Sequence, residues 1–245
     1  MRDLLRGLLD LWVPPSCARC GAGVDDTAPL CRACFAALPS VARDRCARCQ
    51  QAPALARNGV CAACDARASP LRACVASVWF RDEIELWIRR FKYPHRGLAA
   101  RDAAAAGVVR ALARAAAERA PGAAPACVIP VPLHARALRR RGFNPAALLA
   151  RDVACAVAAP FSALALRRLR DTPSQTGLDR AARRRNVRGA FSAPHPVPER
   201  LWLVDDVVTT AATLEEAARA LRRAGAREVI AICAARTPAP HAERF

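Results

Sequence analysis

Eight cysteines form four Cys-x-x-Cys pairs, Cys17/Cys20, Cys31/Cys34, Cys46/Cys49 and Cys61/Cys64, separated by ten, eleven and eleven residues. Two thiolates at that spacing reach one metal ion from a tight turn, and a second pair completes a tetrahedral shell of the kind zinc prefers. Sequential pairing puts Cys17, Cys20, Cys31 and Cys34 on one zinc and Cys46, Cys49, Cys61 and Cys64 on another; a cross-braced arrangement satisfies the same spacing. Shells closed by four sulfurs keep no open position, so these metals are structural. Disulfides would need an oxidising compartment. Near-equal repeats of paired knuckles favour zinc ribbons over an iron–sulfur cluster. Cys74, Cys127, Cys155 and Cys233 stand singly in apolar surroundings and read as buried spectator thiols.

A second chemical signal runs from Leu201 through Asp205-Asp206 and Thr209-Thr210-Ala211-Ala212-Thr213 to Glu216. Leu201–Val204 predicts a strand with the two acids at its carboxyl end, and the small residues after them open a helix. Ligands of parallel α/β sheets bind beyond strand carboxyl ends. Backbone N–H groups at a helix N-terminus hold anions, and threonine hydroxyls add donors. Adjacent carboxylates are poor neighbours for phosphate but good acceptors for a sugar diol. A diol plus a 5′-phosphate describes a ribose phosphate.

Two arginine runs accompany this signal. Arg136, Arg139, Arg140 and Arg141 form one, and Arg167–Arg188 carries eight arginines against Asp171 and Asp179. Such runs serve as solvated faces, or hold pyrophosphate or a single-stranded nucleic acid backbone. Phe143, Phe191 and Trp202 are the candidate base-stacking aromatics, with Trp202 also suited to the core. Lys92, the sole lysine, is a candidate phosphate contact.

The elements that must position these groups alternate. Val75–Phe80, Cys127–Val131, Leu201–Val204 and Glu228–Ala234 predict strands. Asp82–Phe91, Leu98–Arg119, Asn144–Ala158 and Leu214–Ala224 predict helices, the third opened by an Asn144 cap and Pro145. This order predicts an α/β fold with a parallel sheet. The texture changes near Ser69-Pro70, dividing the chain into a cysteine-rich segment, 1–72, and an α/β domain, 73–245. Met1–Val13 has leucines near helical spacing, and Arg6 and Asp10 interrupt any signal-peptide core, so an amphipathic helix packing on the body and a cytoplasmic location are expected.

Over 245 residues the net charge is +18, and 38 of 39 basic residues are arginine. A surface this basic favours phosphate-bearing partners. The hydrophobic share of 53% includes 59 alanines, and no apolar run approaches the roughly 20 residues of a bilayer span.

In this order the motifs resemble the ComF family, competence-associated proteins that join a double zinc ribbon to a type I phosphoribosyltransferase domain. Leu201–Glu216 is similar to the phosphoribosyl pyrophosphate (PRPP) motif, in which two acids precede two apolar residues and Thr-Thr-Gly-x-Thr. The resemblance extends to Phe91-Lys92-Tyr93, Ile129–His134, Arg141–Asn144, Asp171–Leu178 and Arg184–Phe191. It implies a phosphoribosyltransferase-like sheet in which Asp205 and Asp206 accept the ribose 2′- and 3′-hydroxyls. Thr209, Thr210, Ala211, Ala212 and Thr213 would cradle the 5′-phosphate. Val131, Pro132, Leu133 and His134 would form the pyrophosphate loop, although His134 equally suits an ordinary loop. The stretch holding Arg170, Arg180, Arg184, Arg185 and Arg188 would take the place of a mobile loop closing over PRPP. Magnesium would accompany PRPP.

The implied role is DNA uptake in natural transformation, with single-stranded DNA and proteins of the uptake machinery as partners. The alternative is an active Mg²⁺-dependent phosphoribosyltransferase on an unidentified acceptor; no general base is evident. Ala211 stands where the motif has glycine. If that position needs positive φ, its Cβ costs about 1–2 kcal/mol, which favours binding over turnover.

Overall fold

The computed structural model describes residues 15–25, 28–53, 59–94, 99–171 and 180–239, with the backbone path alone at 99–101 and 180. The helix expected over Met1–Val13 and positions 172–178 of the Asp171–Leu178 motif lie outside the described residues. In the cysteine-rich segment, helices α1 (Arg32–Ala36) and α2 (Ala62–Asp65) each start directly after the first cysteine of a pair. The α/β part follows as β1 (Ala73–Trp79), α3 (Asp82–Lys92), α4 (Ala99–Ala117), β2 (Cys127–Pro130), α5 (Ala135–Arg141), α6 (Pro145–Ala156), β3 (Arg167–Arg168), α7 (Arg180–Val187), β4 (Phe191–Ser192), β5 (Arg200–Val208), α8 (Ala212–Arg223) and β6 (Glu228–Arg236).

Four strands form a parallel sheet in the order β1-β6-β5-β2, and β3 and β4 make a small antiparallel pair. Apolar strands such as Val229–Ala235 are buried on both faces, as a parallel sheet with helices on each side requires. One face packs on α3, α4 and α6 through Ile88, Leu112 and Leu149. The other packs on α8 and the β3–β4 pair through Leu214, Leu221 and Phe191. Asn144 caps α6 as expected, its side chain accepting from the Ala146 N–H at 3.1 Å, with Pro145 in the first turn. Among the described residues, no helix is long and apolar enough to cross a membrane.

Several expectations change. β5 runs on to Val208 because Val207 and Val208 pair with Ala235 and Arg236 of β6, so Asp205 and Asp206 lie inside the strand. The arginine runs contain helices α5 and α7. Phe191 and Trp202 are 2% and 5% exposed and belong to the core, which removes them as base-stacking platforms. Cys155 is exposed on α6, whereas Cys74, Cys127 and Cys233 are buried.

The cysteine-rich segment sits against the sheet. Cys17, Leu30 and Leu38 join the same apolar cluster as Val78, Trp87 and Val108. Backbone bonds run from Val41 N–H to Ser77 O (2.9 Å), Trp79 N–H to Pro39 O (2.8 Å) and Cys74 N–H to Ala47 O (2.7 Å). Gly107 of α4 allows close approach, since a Cβ there would meet the Pro29 Cβ at 3.2 Å. Gln50, at φ 51 and 5% exposed, is held in its left-handed conformation by its own amide. Its Nε2 donates to Ala76 O (3.2 Å), and its Oε1 accepts from Ala76 N–H (2.9 Å) and Arg236 Nε (3.1 Å). Next to it, Gln51 Nε2 donates to Thr237 O at 3.0 Å.

Candidate functional site

The cysteines gather as two sets, Cys17, Cys20, Cys31 and Cys34, and Cys46, Cys49, Cys61 and Cys64, with each set's sulfurs within 4.8 Å of one another. The Cys20–Cys31 and Cys49–Cys61 sulfurs are 3.8 and 3.7 Å apart. A tetrahedral zinc with Zn–S near 2.3 Å needs sulfurs about 3.8 Å apart, so the donor sets fit the ion. Backbone N–H groups of Cys34 and Cys49 point at the sulfurs of Cys31 and Cys46 at 3.4 and 3.5 Å. Burial opposes the thiolate at Cys17 and Cys46, yet backbone N–H groups bring both down to about 6. Cys34 is pushed up to about 12, first by its bond to Cys20. Four sulfurs this close ionise together only around a cation. The grouping is the sequential one.

The second site is a cavity of about 570 Å³ at the carboxyl end of the sheet. β5 supplies Asp205 and Asp206, the turn after it Thr209 and Ala211, and the first turn of α8 Ala212 and Thr213. Ala211, at φ 60 and ψ 7, is the N-cap of α8, and its methyl offers the helix no capping acceptor. Its carbonyl accepts from Glu215 N–H at 2.8 Å, and Ala212 and Thr213 of the first turn of α8 line the cavity, where the helix dipole favours an anion. Val131, Pro132 and Leu133 also line the cavity, tied to α6 by Asn144 Nδ2 donating to Val131 O at 3.0 Å.

Charge in the cavity is paired but unequal. Lys92 Nζ lies 2.9 Å from Asp206 Oδ1, which also accepts from Val207 N–H at 2.7 Å. Asp206 N–H donates to Asp205 Oδ1 at 2.9 Å. Enclosure, then the neighbouring Asp206 charge, push Asp205 up to about 7, against the pull of Lys92 and Arg168. Burial disfavours the Lys92 ammonium, but Asp206 and Asp205 outweigh it and hold its pKa above the ordinary lysine value. Burial lowers the pKa of Arg168, which lies over the Phe191 ring at 5.5 Å. Arg141 also lines the cavity and donates to Tyr93 Oη at 2.8 Å.

Of the residues singled out in the sequence, Asp205, Asp206, Thr209, Ala211, Ala212, Thr213, Val131, Pro132 and Leu133 meet around this cavity. Thr210 does not line it; its Oγ1 is buried without a hydrogen-bond partner. His134 caps α5, its Nδ1 accepting from Arg136 N–H at 3.4 Å, and stands 3.7 Å from Asp171. Arg170, Arg184, Arg185 and Arg188 do not line the cavity, and Arg170 donates to the Arg188 carbonyl. The side chain of Arg180 lies outside the described residues. From the same stretch it is Arg168 and Arg183 that reach the cavity. Sequence reasoning missed these two and the pairing of Lys92 with Asp206; the one available signal was that Lys92 is the sole lysine.

Residues 8–74 match the family described as double zinc ribbon domain, and residues 137–244 match the phosphoribosyl transferase domain. The chain is 31% identical over 227 residues to the DNA utilization protein YhgH of Salmonella typhimurium, covering 90% of each chain. It is 38% identical over 109 residues to competence protein F of Haemophilus influenzae, covering 43% of this chain and 48% of that protein. The match thus spans about half the length of the Haemophilus relative. A solved structure titled the allosteric regulatory enzyme of purine biosynthesis aligns with 53% of this chain and 26% of its own, at 24% identity and a TM-score of 0.37.

Proposed function

We propose, from the premise that this chain belongs to the ComF family of double zinc ribbon and phosphoribosyltransferase-domain proteins, that its cavity binds PRPP or a related ribose phosphate and that the protein handles single-stranded DNA during natural transformation. The observation that carries the reading is the cavity itself, which is lined by both the acid pair and the first turn of α8. Asp205 and Asp206 accept the ribose diol. The N–H groups at the start of α8 and the hydroxyls of Thr209 and Thr213 hold the 5′-phosphate. Arg141, Arg168 and Arg183 neutralise further phosphate charge. The zinc shells are structural and take no part in chemistry.

DNA is assigned to the basic outer surface. Arg136, Arg139 and Arg140 on α5, and Arg185 and Arg188 in and just after α7, are exposed. With Phe191 and Trp202 in the core, Phe143 is the one stacking candidate left, so binding rests mainly on phosphate contacts and is strongly salt-dependent, with a log–log slope of about −0.7 per phosphate neutralised. The names of the relatives, which mention DNA utilization and competence, agree with that partner. We place the protein in the cytoplasm, beside proteins of the uptake machinery.

The residues present do not make a magnesium site of their own. Asp206 Oδ1 already takes two donors. Among the described residues, the two cysteine sets are the groups of three or more metal-ligating side chains.

Calorimetric titration of PRPP into wild type and Asp206→Asn tests the ribose-phosphate site; no heat with wild type overturns it. Titration of single-stranded DNA at two salt concentrations, with and without PRPP and Mg²⁺, tests the DNA role. A steep salt slope without pyrophosphate release supports binding. Pyrophosphate release that depends on Asp205 and Asp206 assigns a transferase instead.

A further inference from the structure

The turn at Thr209–Ala211 ends on a left-handed alanine, and a residue in that conformation persists only where its surroundings fix it from more than one side. Both ends of the turn are tied to a neighbour. On the strand side, Val208 O accepts from Thr237 N–H at 2.9 Å. On the helix side, Ala211 O accepts from Glu215 N–H at 2.8 Å. Val208, Ala211 and Thr237 all line the cavity. Thr237 and Glu215 are held in turn by the segment that carries Cys46, Cys49, Cys61 and Cys64.

Gln51 follows Cys49 by two residues, and its N–H points at the Cys49 sulfur at 3.5 Å. Its side chain brackets the chain just after β6. Nε2 donates to Thr237 O at 3.0 Å, and Oε1 accepts from Ala239 N–H at 2.9 Å. Arg67 follows Cys64 by three residues, and its guanidinium pairs with the Glu215 carboxylate. Glu215 is 5% exposed, so its charge depends on the two cations beside it, Arg67 and Arg219. Arg48 fastens the knuckle behind Arg67, donating from Nη1 to Cys64 O at 2.8 Å and to Arg67 O at 3.2 Å. Neither Gln51 nor Arg67 lines the cavity. The first cysteine set faces other elements: Cys17 and Leu30 pack in the cluster of Trp87 and Val108, and Arg19 pairs with Glu83 at 3.1 Å.

We propose that the second zinc shell positions the turn of the cavity, through Gln51 at its strand end and Arg67 at its helix end, so that occupancy of Cys46, Cys49, Cys61 and Cys64 sets the affinity of the cavity for its ligand. The inference takes its ligand from the ribose-phosphate reading above and adds a control from outside the cavity. Gln51 and Arg67 are positioning residues, since they act through Thr237 and Glu215. The first shell carries no such control.

Calorimetry with PRPP and amide hydrogen exchange by NMR test this together. In Arg67→Ala and in Gln51→Ala, PRPP affinity falls about 3–10-fold, less than a fully buried charged hydrogen bond is worth because the Arg67 side chain is 43% exposed. Exchange quickens by a similar factor at Glu215 in the first variant and at Thr237 in the second, while Ile230 and Ala231 in the middle of β6 keep the wild-type rate. Arg67→Lys, which keeps the charge, restores both readings. Cys61→Ser, which breaks the second shell, loses about 10-fold or more in affinity, whereas Arg19→Ala binds as wild type. If Cys61→Ser fails to fold by thermal melt, the Arg67 and Gln51 variants still decide. Wild-type PRPP affinity in both of them overturns the positioning role, as does exchange that rises equally along the whole of β6. A wild type that binds no PRPP overturns the ribose-phosphate reading instead, and exchange at Glu215 and Thr237 then decides the positioning role by itself.

Discussion

Ala211→Gly removes one methyl from the turn between the acid pair and α8. Ala211 has φ 60 and ψ 7, a left-handed conformation in which an L side chain crowds its own backbone. That crowding costs about 1–2 kcal/mol, and glycine escapes it. Glycine returns part of the gain through the greater freedom of its unfolded chain, about 0.5–1 kcal/mol. The expected net is a stabilisation of about 0.5–1 kcal/mol, which raises the melting temperature of a chain this size by about 1–4 °C. Ala211 also lines the cavity, so losing its Cβ lets a phosphate come closer to the N–H groups of α8. PRPP binding therefore tightens by up to about 10-fold, corresponding to about 1.4 kcal/mol. Thermal melts of zinc-loaded protein and calorimetric titration read the two effects separately. A lower melting temperature would refute the strain at Ala211. A stability gain without any change in affinity would refute the assignment of this loop to phosphate.

Asp205 ties stability to pH. Its folded pKa of about 7 lies above the ordinary 3.8, so between those values the folded protein keeps a proton that the unfolded chain has released. The associated stability is full below about pH 4 and is lost as pH rises through 7, by at most about 1.4 kcal/mol per pH unit. In urea titrations from about pH 5 to about pH 8, wild type should weaken relative to Asp205→Asn; a constant difference between them removes Asp205 from its enclosed setting. Gln50→Ala strips the partners from Ala76 and from Arg236 Nε and should cost about 2–4 kcal/mol in urea unfolding, whereas a loss below about 0.5 kcal/mol shows that water replaces the amide. Elemental analysis should find two zinc ions per chain in wild type and one in Cys61→Ser; loss of both in the variant contradicts two separate shells.

What was legible in the sequence is what is local in it. Cys-x-x-Cys spacing reports a turn of a few residues, and Asp205–Thr213 reports a strand, a turn and a helix start that adjoin one another. The strand outruns the apolar run Leu201–Val204 that predicts it, because acids are poor strand formers and mark its end in sequence. Pairing of Val207 and Val208 with β6 carries the strand past them, and Lys92 offsets the charge of Asp206 within it. That lysine arrives on α3, far away along the chain, and no spacing rule connects it to Asp206. The arginine runs concealed α5 and α7 because a solvated charge run and a short basic helix look alike in composition. Gln50 resembled any loop glutamine until folding set its amide against β1 and Arg236.

β1 is the outermost strand of the sheet on its side, and the outer flank of such a strand, left bare, is a row of backbone groups ready to pair with another chain. Pro39, Val41 and Ala47 bond to that flank from the zinc-bearing segment. On the opposite side, Val128 of β2 is bonded by Pro160 and Ser162. The zinc-bearing segment is therefore an edge guard as well as a metal-binding element. A chain cut at the change of texture, beginning at Ala73, would bare the flank of β1 together with the apolar surface that Leu30 and Leu38 cover. Such a fragment invites strand-to-strand aggregation, and starvation for zinc would show first as insolubility.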